Sequence, residues 1–127
     1  MKFIVETGKS FDQACIDLDA SIVRNGFGVL HKHDLGTSLR NKGVDFDGQC
    51  AVFEVCNPVQ AGKVLSADIS LNMALPCRIS VYTEAGLTKI GMFRPTALLS
   101  ALSTDAALMA VAREVEDKTV LMIEEAR

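Results

Sequence analysis

Four cysteines and two histidines carry most of the chemistry that this 127-residue sequence can offer. Cys56 stands just before Asn57-Pro58. Asn is a favoured helix N-cap and Pro is favoured at the first helical position, so a helix is predicted to begin there, with Cys56 at its N-terminal end. Unpaired amides and the helix dipole favour an anion at such a place, lowering a cysteine pKa from about 8.5 and raising the fraction of thiolate, the nucleophile and metal ligand. Cys77 follows Pro76 at a predicted strand entrance, with Arg78 beside it. The spacing of Cys56 and Cys77 matches neither a Cys-x-x-Cys redox pair nor paired zinc knuckles. If their strands are neighbours, both thiols reach one rim, where they could bind a soft metal, form a reversible disulfide or carry sulfur. His31 and His33 share a strand parity and could present two imidazoles to one metal ion, with Cys50 as a third ligand and Asp34 and Glu54 behind them. Cys50 and Cys56 share a strand face but lie roughly 20 Å apart at about 3.3 Å per residue, beyond disulfide reach. Against each reading stands a packing one, in which the thiols are small hydrophobes and the histidines are solvated; Cys15, inside an apolar stripe, is read that way outright.

The elements that must position these residues follow from periodicity and caps. Residues 2 to 7 read as a strand. Ser10 opens a helix with Gln13 three positions later, the spacing of a reciprocal capping box, and Phe11, Ala14, Cys15, Leu18 and Ile22 form its buried stripe until Gly26. Gly28 to Asp34 is a second strand, in which Val29, His31 and His33 are expected on one face and Leu30 and Lys32 on the other. A short helix is predicted over Thr37 to Lys42, ended by Gly43. Gln49 to Cys56 is a clear strand, with Ala51, Phe53 and Val55 on one face and Cys50, Val52, Glu54 and Cys56 on the other. It leads straight into a helix from Pro58 to about Ala67. Ile69 to Leu75 is ambiguous, since Leu71 and Met73 alternate with polar residues but a helical turn also suits the run, and it stays unassigned. Cys77 to Glu84 and Leu87 to Phe93 form a hairpin around Ala85-Gly86. Pro95 starts a short helix, Thr104 and Asp105 offer another cap, and Leu108, Val111, Ala112, Val115 and Met122 mark a long amphipathic C-terminal helix.

The order of elements predicts a single α+β domain over residues 1–127, a two-layer fold with a curved, mainly antiparallel sheet and helices on one face; the hairpin argues against a doubly wound sheet. Half of the residues are apolar (49%), enough for one core without staples. A net charge of -3 and seven aromatics, six Phe and one Tyr, argue against a nucleic-acid partner. No apolar run approaches the roughly 20 residues that span a bilayer, and Met1 to Glu6 alternate instead of forming a signal core, so no membrane role and a cytoplasmic location are expected. Free thiols or ligands are then more natural than disulfides. Phosphate loops of the GxGxxG or Walker type and the Gly-x-Ser-x-Gly elbow are missing. An enzyme acting on an acyl or thiol substrate lacks an identifiable base.

Lys9-Ser10-Phe11, Gly26-Phe27-Gly28-Val29-Leu30, Cys56-Asn57-Pro58, Leu75-Pro76-Cys77 and Val81-Tyr82 together resemble the family called domain of unknown function 302, over nearly the whole chain. His31 through Gly36, with Cys50 in Gln49 to Phe53, looks like a branch richer in His and Cys. The resemblance implies a TATA-binding-protein-like topology and a homodimer, and implies no activity. Asn57, Pro58 and Pro76 carry over as motif positions that start a helix and shape a turn. The resulting expectation is a module that binds a small ligand through Cys56, assisted by Cys77 and His31: a soft metal, a haem-like cofactor or a sulfur species. The rival expectation is a homodimeric structural or interaction domain without chemistry.

Overall fold

The computed structural model describes residues 1–127. Strands β1 (Lys2–Thr7), β2 (Gly28–Asp34), β3 (Cys50–Cys56), β4 (Cys77–Glu84) and β5 (Leu87–Phe93) form one antiparallel sheet in the order β1-β5-β4-β3-β2. Helices α1 (Phe11–Arg24), α2 (Leu35–Asn41), α3 (Pro58–Ala67), α4 (Pro95–Leu102) and α5 (Ala106–Ala126) complete the chain, with a 3-10 helix, Ile69–Ala74, between α3 and β4. The two long helices, α1 and α5, pack on each other and on one face of the sheet. This is the two-layer α+β arrangement that the order of elements predicts.

One core lies between the layers. Alternation along the strands turns Val5, Phe53, Val81 and Ile90 toward the helices, where Leu18 and Ile22 of α1 and Met122 and Ile123 of α5 meet them. Phe53 is the largest side chain sealed there, at 1% exposure. Where the helices touch, Ser21 Oγ donates to the Met122 carbonyl at 2.9 Å, so its buried hydroxyl has a partner.

Caps set the element ends, with two departures from expectation and one open stretch resolved. Ser10 accepts from the Gln13 amide at 3.1 Å, but the Gln13 side chain donates to Asp17 Oδ1 at 2.8 Å instead of reaching back, so the capping is one-way. Helix α2 starts ahead of Thr37 because Asp34 supplies the cap, its Oδ1 accepting from the Thr37 amide at 3.0 Å. The unassigned stretch is the 3-10 helix, opened by Asp68, which accepts from the Ser70 amide at 3.0 Å. The hairpin turn has positive φ at both central residues, Ala85 at 52° and Gly86 at 79°, as a type I′ turn requires.

The largest correction concerns β2. Its register with β3 jumps from Val29↔Val55 to His31↔Glu54, leaving Leu30 as the extra residue of a bulge. Val29 therefore packs on the core, whereas His31 and His33 lie on the uncovered face; the common parity expected of all three is broken. Lys32 lies on the helix side, its ammonium 5.5 Å from the Phe53 ring centroid.

Inside the sheet, on the strand next to the β1 edge, Gly91 pairs with Ile4 on one side and Ser80 on the other. A Cβ added there would lie 2.9 Å from Ile4 Cγ1 and 3.1 Å from the Phe3 carbonyl oxygen. The second contact is backbone and cannot swing away. Gly91→Ala is therefore expected to destabilise the protein by about 1–3 kcal/mol by prising β1 from β5. A lower urea midpoint at unchanged slope is the readout, and an unchanged midpoint contradicts it.

Candidate functional site

Cys56 ends β3 one residue before the α3 N-cap. Asn57 Oδ1 accepts from the Val59 amide at 3.0 Å and the Gln60 amide at 3.2 Å, so these first-turn donors, on which the thiolate expectation rests, already have a partner. Asn57 Nδ2 also donates to the Gly26 carbonyl at 3.4 Å, and Gln60 Nε2 to Glu114 on α5 at 2.8 Å. Asn57 and Pro58 thus start α3, Asn57 ties it to the entry of β2, and Gln60 ties it to α5.

Strands β3 and β4 are neighbours, as the shared-rim reading requires, but Val55 is the residue opposite Cys77. Cys56 is one step further along, and strand alternation turns the two thiols to opposite faces. All four cysteines are free. Cys77 packs against the core, and burial, reinforced by nearby Cys56, pushes its thiol up to about 11. Burial likewise pushes up Cys15 and Cys50.

On the uncovered face, the His31 and His33 rings stand edge to face, centroids 4.3 Å apart. His33 Nε2 pairs with Glu54 Oε1, and that bond foremost holds the Glu54 carboxyl below its usual range. Cys50 lies at the far end of β3, opposite Tyr82. No three His, Cys, Asp or Glu groups converge as a metal set. The fold makes His31, His33 and Glu54 neighbours, leaves Cys56 and Cys77 close together but on opposite strand faces, and places Cys50 at the other end of β3.

A different feature dominates the other end of the sheet. The β4–β5 ladder runs from Glu84↔Leu87 to Ser80↔Gly91 and stops, leaving Cys77 to Ile79 without a β5 partner. A cavity of about 590 Å³ opens at this fork. Its walls include Cys77 and Met92 from the strands, Leu75 and Pro76 before β4, Leu99 of α4 and Val111 of α5; 14 of its 19 lining residues are hydrophobic. The size falls within the roughly 300–1,000 Å³ of small-molecule sites. Helix α4 buries none of its residues completely, apolar as it is: it roofs the cavity, rests on α5 and shows the rest of its surface to solvent.

Of the candidate site residues, Pro76 and Cys77 line this cavity, together with Arg78, noted beside Cys77 in the sequence. The missed wall lay in the two stretches where no period is clear: the unassigned Ile69 to Leu75, and Pro95 to Leu102, apolar on all sides. No helix is long and apolar enough to cross a membrane.

Sheet, helical cover and cavity define a small α+β domain with a ligand-sized apolar chamber at one sheet end. The family model for "Domain of unknown function DUF302" matches residues 3–126, and the chain belongs to that family. A solved structure of an uncharacterised conserved DUF302 protein from Bacillus stearothermophilus is 33% identical, with a TM-score of 0.94 over 99% of this chain and 98% of that one. No curated protein matches the chain.

Proposed function

We propose that the protein is a binding module for a small, largely apolar organic molecule taken up in the cavity beside Cys77. The observation that carries this reading is the chamber itself, about 590 Å³ with walls that are mostly hydrocarbon. Each Å² of ligand surface withdrawn from water there contributes about 25 cal/mol. Cys77, held as a neutral thiol by its raised pKa, supplies a polarisable contact and not a nucleophile. Among the ligand classes expected from sequence, an apolar organic body such as a haem-like macrocycle suits these walls better than a bare metal ion, which wants three or four convergent donors. In this reading Cys56, Asn57 and Pro58 serve the architecture.

Titration with Nile red, an uncharged solvatochromic dye, tests the proposal. Saturable one-site binding with a blue shift is expected. Ala112→Phe, which fills the chamber from α5, and Leu99→Trp, which fills it from α4, are each expected to weaken binding about tenfold, the effect of 1.4 kcal/mol. Absent binding, or binding indifferent to both substitutions in folded protein, overturns the reading.

One observation favours the homodimeric interaction domain as a second reading. The chamber's rim exposes Met73 (84%), Phe93 (58%) and Leu102 (51%), an apolar surface of the kind that partners cover. Under it, the dye finds no saturable site.

A further inference from the structure

Resting on the cavity reading, we infer that the ligand is an anionic amphiphile, its apolar body in the chamber and its single negatively charged head on Arg78. Arg78 is the only charged residue among the 19 that line the cavity, and no carboxylate there would repel an anion. It lies on β4 within the three residues left unpaired on the β5 side; alternation turns it to the face opposite Cys77, and it meets the chamber at the rim of the fork.

Arg78 feels the charge of Glu54 but forms no direct bond with it, and helps only secondarily to hold that carboxyl below its usual range. Glu54 is the register partner of Arg78 across β3, but Glu54 Oε1 is bonded to His33, and Arg78 forms no ion pair within the protein. The next arginine along, Arg94, differs: it pairs with Glu116 at 3.7 Å and stacks on Phe3, 5.1 Å from the ring centroid. An apolar chamber with one free guanidinium at its wall matches a molecule with one hydrocarbon end and one anionic end. Guanidinium offers carboxylate or phosphate two parallel hydrogen bonds, so either head satisfies the chemistry.

Displacement of Nile red from the full chain by dodecanoate, dodecyl phosphate and dodecanol, each below its micelle concentration, separates the possibilities. Dodecanoate is expected to displace the dye at about one-tenth the concentration that dodecanol needs, since a charge-assisted hydrogen bond is worth at least that factor, and added salt should narrow the gap. Arg78→Gln is expected to abolish the preference while leaving dye binding intact, because the residue is exposed on the sheet and outside the core. Arg78→Lys should retain part of it. Tighter binding of the phosphate than of the carboxylate identifies a phosphate-headed ligand, and the reverse a carboxylate. Equal displacement by acid and alcohol, no displacement by any of the three, or a preference that survives Arg78→Gln overturns the inference while the cavity reading stands. Failure of the dye itself to bind removes the cavity reading beneath it.

Discussion

Phe53→Ala is expected to lower stability by about 3–5 kcal/mol, a large share of the roughly 5–15 kcal/mol that holds a domain of this size together. Phe53 lies in the middle of β3, flanked by β2 and β4, with its ring 1% exposed against the helical layer. Truncation to Ala removes the ring from a space that both layers hold open, so the loss combines lost burial with a residual cavity. It also strips the cation at Lys32 of its aromatic face. Phe53→Leu, which keeps most of the volume, should cost only about 1–2 kcal/mol. Urea unfolding of the two variants checks the pair. A loss below 1 kcal/mol for Phe53→Ala would mean that the layers collapse onto the vacated site.

The second large effect is the inertness of Cys77. With its thiol pushed up to about 11, its thiolate fraction at neutral pH is about 100-fold below that of an ordinary cysteine near 8.5–9. Alkylation of Cys77 in the native protein, followed by peptide mass analysis, should be slower by about that factor, and its rate should climb tenfold per pH unit up to about pH 11. Stability carries the same signature. The folded state keeps the proton that the unfolded chain releases above about pH 9, so folding is penalised progressively as pH rises from about 9 to about 11, by roughly 3 kcal/mol at the end, and is unaffected below that window. Cys15 and Cys50, also raised, act in the same direction, so the contribution of Cys77 is the difference between wild type and Cys77→Val. Rapid labelling at pH 7, or an identical alkaline stability profile in Cys77→Val, contradicts the assignment.

Much of the fold was legible because caps and alternation act locally. Asn57-Pro58 fixed the start of α3, Ala51, Phe53 and Val55 named the inner face of β3, and Ala85-Gly86 located the hairpin. The face of His31 and His33 was misread in relation to Val29, because a bulge depends on how β2 meets β3 and leaves no mark on β2 alone. The capping box failed in half for a related reason: the Gln13 side chain had a competing partner in Asp17, one turn away. The candidate site was less legible. Sequence drew attention to thiols and imidazoles, whose roles depend on which face each one takes. The chamber arises where two paired strands separate, a non-local event, and part of its wall comes from the 3-10 helix, whose apolar residues suit a strand and a helical turn equally, and from the short apolar α4.

The bulge at Leu30 bears on how copies of this molecule can meet. Because β2 is an outermost strand, its free side would otherwise serve as a template for another chain's backbone. An incoming strand would encounter an unpaired residue and a local change of twist soon after Gly28, and would lose its ladder there. Strand-by-strand growth along this border is thereby discouraged.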